Sequence, residues 1–317
     1  MPLNINTNAA ASSASYYLSK NNAALQKSLT RLSSGSRITQ PADDAGGLAV
    51  SMKLSGTINR LSGVEKNIDN AISFLQVQDG VLDSAGKILD RMAELKALSQ
   101  DVLKNASDIA NYNSEFQNLQ VQLHQMTQTT FNGVSLFAGH TTSSGGTEVI
   151  FGGTNAQDNT VSIFTSATGE SGSKVSINKT MLLSALTINS NTLASAAFST
   201  ANNASAAGAT AAFSFAATAV SGTMTLDKVS VAVFTQALQN IATLRAENGG
   251  SVSRLQFSKE SAAAQKTNLE AANGRIMDVD IATESTRLAK YNILVQASAS
   301  MLSQANATSN VAMMLLN

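Results

Sequence analysis

The chain has 317 residues, with 21 Lys and Arg balanced by 21 Asp and Glu and only 13% charged residues in all. A formal net charge of +0 leaves no electrostatic footprint for nucleic acid or an acidic membrane surface. With no cysteine, disulfides, zinc–thiolate centres and thiol catalysis are excluded.

The first ten residues, MPLNINTNAA, lack the basic start and apolar core of a secretory signal. From Ala14 a heptad runs through Leu18, Leu25 and Leu32, with Leu29 beside it and Ala14, Asn21 and Ser28 as small or polar companions. This predicts a helix too weak to stand alone. Ser33, Ser34, Gly35 and Pro41 break it. Asp43 and Asp44 then precede an apolar run, and their expected role is to cap and favour the positive end of the next helix rather than to do acid–base chemistry.

The strongest period follows. Leu61, Val64, Ile68, Ala71, Leu75, Gln78, Leu82, Ala85, Leu89 and Met92 alternate steps of three and four, which predicts a helix on the order of 50 Å long. Ile109, Tyr112, Phe116, Leu119, Leu123 and Met126 repeat the pattern up to Phe131-Asn132-Gly133. Asn105 to Asp108 supplies a turn and cap between the two, making them antiparallel neighbours. His124 reads as a solvated residue of this second helix, far in sequence from His140, so no metal site is expected.

After Gly139, residues 148–151 and 160–164 read as strands, and 174–178 as a third candidate. Residues 180–226 carry no charge and are dominated by Ala, Ser, Thr and Asn, an insertion with marginal core content. Its run 204–220 is too small and hydroxylated to be a membrane span. Helical spacing returns near Val233 and holds from Ile241 to Val279. The stripe then slips phase at 278–284, opposite the break at 33–47, which marks a joint. Asp278, Asp280 and Glu284 are expected to cap and to face solvent, since no His or further carboxylate completes a ligand set.

The last helix carries a coiled-coil seam of Leu288, Tyr291, Val295, Ser298, Leu302 and Ala305, widened by Leu294 and Met301. It needs partner helices, because burying one stripe does not offset the cost of ordering the whole segment. The fold expected is mainly α, with long antiparallel helices in a coiled-coil-like bundle formed by the paired N- and C-terminal regions. A β-hairpin and a small variable insertion complete it.

Several motifs carry a family likeness. Residues 28–50, SLTRLSSGSRITQPADDAGGLAV, resemble the N-terminal signature of bacterial flagellins. LDRMAELKALSQ at 89–100, FNG at 131–133 and RIMDVDIATESTRLAKYNILVQASASMLSQAN at 275–306 match the same family in the same order. The resemblance implies a self-assembling structural subunit of the flagellar filament, without catalytic, cofactor or metal site. Its modules would be 1–43 with 277–317 as the inner, filament-core part, 44–165 with 229–276 as the outer helical part, and 166–228 as a solvent-facing insertion. The assembly seam would be Leu18, Leu25, Leu32, Leu288, Tyr291, Leu294, Val295, Met301 and Leu302.

The resemblance further implies secretion in the unfolded state and an extracellular place in the flagellum, serving motility. The implied partners are further copies of the chain, a flagellar export chaperone, and hook-associated and cap proteins. Toll-like receptor 5 is a further implied partner, through Arg91, Leu95 and Glu115; Asp90 and Ala93 depart from the family pattern beside them. Three other readings compete: a hook–filament junction protein with flagellin-like ends, a flagellin hosting a peptidase, and an independent adhesin or secreted effector. The second would require a motif such as His-Glu-x-x-His, which a middle region with the single histidine His140 does not contain.

Overall fold

The computed structural model describes residues 8–138, 151, 160–189, 192–195 and 212–314. Long helices dominate: α1 (Ala9–Ser34), α2 (Ala45–Ser99), α3 (Ala106–Thr127), the one-turn α4 (Leu182–Ala185), α5 (Val231–Met277) and α6 (Ile281–Met314). Three small antiparallel strand pairs accompany them, β1 (Thr130–Phe131) with β2 (Val134–Ser135), β3 (Thr160–Phe164) with β4 (Lys174–Asn178), and β5 (Thr187–Asn189) with β6 (Ala212–Ser214). The chain divides into two compact units, Met1–Arg60 with Ala264–Asn317, and Leu61–Ala263.

In the second unit the three-four stripe of α2 becomes the core. Leu61, Val64, Ile68, Ala71, Leu75, Leu82, Ala85, Leu89 and Met92 are all buried, joined by Phe74 and Leu95. Gln78, also on the stripe, is fully buried and donates from Nε2 to the Leu136 carbonyl at 2.5 Å. Helix α5 runs antiparallel to α2, as successive ion pairs record: Lys259 with Asp69 at 2.6 Å, then Arg245 with Asp79 at 2.9 Å and Asp83 at 2.8 Å. A capping box opens α3, Asn105 Oδ1 accepting from the Asp108 amide and the Asp108 carboxylate accepting from the Asn105 amide. It closes at Thr127, and Asn132-Gly133 forms the two-residue turn of β1–β2, with φ of 50° and 78°. Positive φ at both central residues gives that turn the twist of the strands it joins. His124 is half-buried rather than solvated, and that burial pushes its imidazole pKa down.

In the middle of the chain strand β3 pairs with β4; of the candidate strand at 148–151, residues 148–150 lie outside the described residues and Phe151 sits in a turn. The register explains the choice, because Val161 meets Ile177 and Ile163 meets Val175, which puts the apolar side chains of both strands on one face. The uncharged stretch is not marginal in core content. Leu182, Ala185, Leu186, Ile188, Phe215, Ala216, Ala217, Met224 and Leu226 are all buried. Phe215 stacks on Phe234 of α5 at 4.9 Å, and Phe234 meets Phe116 of α3 edge-on at 6.0 Å. Polar side chains then grip the backbone of this stretch. Gln120 both donates to and accepts from Met224, Asn113 accepts from the Leu226 amide, and buried Lys96 donates to the Leu226 carbonyl at 2.6 Å. Each bond satisfies a backbone group removed from water.

Candidate functional site

In the first unit α1 pairs with α6. Ser28, buried on α1, donates to the Glu284 carboxylate at 2.5 Å; further along, Asn21 Nδ2 donates to Ser298 Oγ at 3.0 Å and Asn8 Nδ2 to the Ala305 carbonyl at 2.8 Å. The polar positions of both heptads thus face one another and fix the register between helices too poor in leucine to do so. Leu18, Leu25, Leu32, Leu288, Tyr291, Leu294, Val295 and Leu302 are half-buried. Met301, assigned to the same seam, is instead 59% exposed in the single chain. Seven residues beyond Leu294, at 3.6 residues per turn, falls about 20° short of two full turns, which carries it off the edge.

The stripe read as an assembly seam therefore joins two helices of the same chain. Other apolar side chains on these helices stay open to solvent: Tyr16 at 65%, Tyr17, Leu29, and Ile293 at 66%. Only Leu29 figured in the sequence reading. The signal available for the rest was a bulky apolar residue outside the three-four stripe.

Both helix breaks lie in one joint. Gly35 ends α1 with φ of 70° and its carbonyl accepts from the Val279 amide at 3.0 Å. Arg37 donates its backbone amide to the Met277 carbonyl, and Nε and Nη2 to the Ile276 carbonyl at 3.0 and 2.9 Å. The guanidinium satisfies one carbonyl that the end of α5 leaves open, the backbone amide a second, and the positive charge favours the negative pole of α5. The two adjacent carboxylates divide their roles. Asp44 Oδ1 accepts from Gly47 N at 2.8 Å and caps α2. Asp43 turns back to α1, where the Lys27 ammonium at 2.5 Å, with the Thr39 amide and hydroxyl, holds its carboxyl far below the usual range. Asp280 caps α6 through the Ala282 and Thr283 amides and the Thr283 hydroxyl, which lower its pKa. Glu284 is buried against Ser28, with Arg287 at 3.4 Å, rather than solvated.

Of the three residues assigned to a receptor, Arg91 and Glu115 are half exposed and ion-paired at 2.8 Å, with Glu94 also on Arg91 at 2.7 Å. Leu95 is fully buried, because it continues the inward stripe from Met92, and it does not share their surface.

Fold and site define a class: mainly helical proteins whose termini pair into one stem, with exposed contact surfaces as the candidate site. The family follows from sequence similarity. A profile of the bacterial flagellin N-terminal helical region matches residues 5–142, and one of the bacterial flagellin C-terminal helical region matches residues 231–316. A flagellin of Bacillus subtilis is 32% identical over 308 residues, 96% of either chain. The flagellar filament 30.7 kDa core protein of Treponema maltophilum is 27% identical, covering 99% of both. A crystal structure of Bacillus cereus flagellin aligns with 66% of this chain and 94% of that one, at 21% identity and a TM-score of 0.40. The chain belongs to the bacterial flagellin family, a family of structural proteins.

Proposed function

We propose that the chain is a structural subunit of the bacterial flagellar filament and that its partner in assembly is further copies of itself. The observation that carries this reading is the set of apolar side chains left open on the paired stem, Tyr16, Tyr17, Leu29, Ile293 and Met301. A soluble stem gains nothing from them, whereas packing against neighbouring stems would remove them from water. On this reading the protein is exported unfolded with the help of a flagellar chaperone, works outside the cell in motility, and abuts hook-associated and cap proteins. Any contact with toll-like receptor 5 would involve Arg91 and Glu115, without Leu95.

The test is polymerisation of the purified protein, followed by negative-stain microscopy. Ile293→Asp is expected to block filaments while leaving α1–α6 pairing intact. Leu302→Asp is expected to block them by opening the pair, with the thermal unfolding of the Leu61–Ala263 unit barely moved in both variants. Normal filaments from Ile293→Asp would refute the outward faces as contacts, and a wild-type protein that never polymerises would refute the filament reading.

A further inference from the structure

The turn joining α2 to α3 carries the two most exposed large apolar side chains among the described residues, Val102 at 97% and Leu103 at 92%. The turn is built, not slack. Asp101 Oδ1 accepts from the Leu103 amide at 3.0 Å, the Lys104 amide donates to the Asp101 carbonyl, and the capping box of α3 begins at Asn105. Two branched aliphatic side chains are thereby fixed in water as a knob, away from the core that α2 and α3 build.

The same unit holds a groove that such a knob would fit. Phe74 of α2, Phe131 and Val134 of the β1–β2 hairpin, and Val161 and Ile163 of β3 line a cavity of about 290 Å³. Among the described residues no ionisable side chain lines it; its polar members are amides and a hydroxyl. Another groove of this unit lies between α2 and α5 and contains the Asp79–Arg245 pair, which disfavours an uncharged aliphatic insert. One flank of the first groove is β3, whose pairing among the described residues is with β4 alone.

We propose that Val102 and Leu103 of one copy seat in the Phe74–Phe131–Val161 groove of a second copy; this rests on the reading of the chain as a polymer subunit. The match is of neutral, apolar surfaces, and the two partners are different patches of one chain. A contact of that kind is heterologous, so repeating it gives an open row of subunits wherever the rotation between copies does not close a ring. Its spacing can be read from α2. The groove lies beside Ala71 and the knob just past Ser99, so a row of parallel copies would advance about 40–50 Å per subunit along α2.

The absence of cysteine makes a direct test simple. In the full-length protein carrying Leu103→Cys and Val134→Cys together, oxidation of assembled filaments is expected to yield a ladder of disulfide-linked multimers, and neither single variant should do so. Val102→Asp with Leu103→Asp, on a turn outside the core, is expected to raise the concentration needed for assembly at least tenfold with unchanged helix content and melting. Filaments without a ladder, dimers from Leu103→Cys alone, or normal assembly of the double aspartate would overturn the contact. Those outcomes require wild-type filaments; failure of the wild type to polymerise would instead remove the polymer reading and this contact with it.

Discussion

Ser28 and Glu284 lie 256 residues apart in the chain and meet at 2.5 Å inside the seam between α1 and α6. The hydroxyl and Arg287 are what keep this buried carboxylate from being bare. Ser28→Ala is expected to weaken the paired stem by about 1–3 kcal/mol, because an acceptor is left short of its donor. Faster amide exchange in α1 and α6, with α2 and α3 unchanged, is the measurement that checks it.

Phe215 ties the uncharged stretch to α5. Phe215→Ala is expected to cost about 3–5 kcal/mol of stability, with a clear drop in melting temperature, since the stacked Phe234 loses its neighbour. Deleting residues 184–221 removes Phe215 and its neighbours Ala216 and Ala217 and is expected to unfold this unit, so the stretch is not the expendable insertion its composition suggests. Chemical denaturation of the two variants would decide.

His124 gives a pH dependence with a definite sign. Burial lowers its folded-state pKa below the unfolded value of 6.5, so below that value the unfolded chain binds the proton more readily. Stability of the unit is therefore expected to fall as pH drops through about 6.5, and to level off once the folded histidine is protonated as well. His124→Gln should flatten this part of the curve in melts taken from pH 8 to pH 5. A wild-type curve that rises on acidification there would contradict the assignment.

The Arg245 bridge to Asp79 and Asp83 is partly solvated on both sides. Arg245→Ala is expected to cost only about 0.5–1 kcal/mol at low salt, and less at 1 M salt, where screening acts over a few ångströms. Paired melts at the two ionic strengths would measure it.

The long helices were legible because one stripe from Leu61 to Met92 recurs at alternating steps of three and four, a spacing only a helix satisfies, and the phase slip after Val279 falls where α5 gives way to α6. The partner of β3 was not legible. Three short alternating runs all fit a two-stranded ribbon, and pairing depends on register across the loop rather than on any one run. Burial of the uncharged stretch was hidden for a different reason. Gln120, Asn113 and Lys96 hold its backbone, and contacts of that kind put no pattern in the side chains they hold. At the candidate site, the heptads marked the faces that α1 and α6 turn toward each other, while Tyr16 and Ile293, outside the repeat, mark the faces they turn away.

The joint at Arg37 has a kinematic consequence. The chain bends once after Ser34 and once after Met277, and each bend is secured to the other: Gly35 to Val279, Arg37 to Met277, and the Arg37 guanidinium to Ile276. Straightening one bend would break the bonds that hold the second. The two bends are thus tied to each other, and a twist entering through α1 is expected to be passed on to α6.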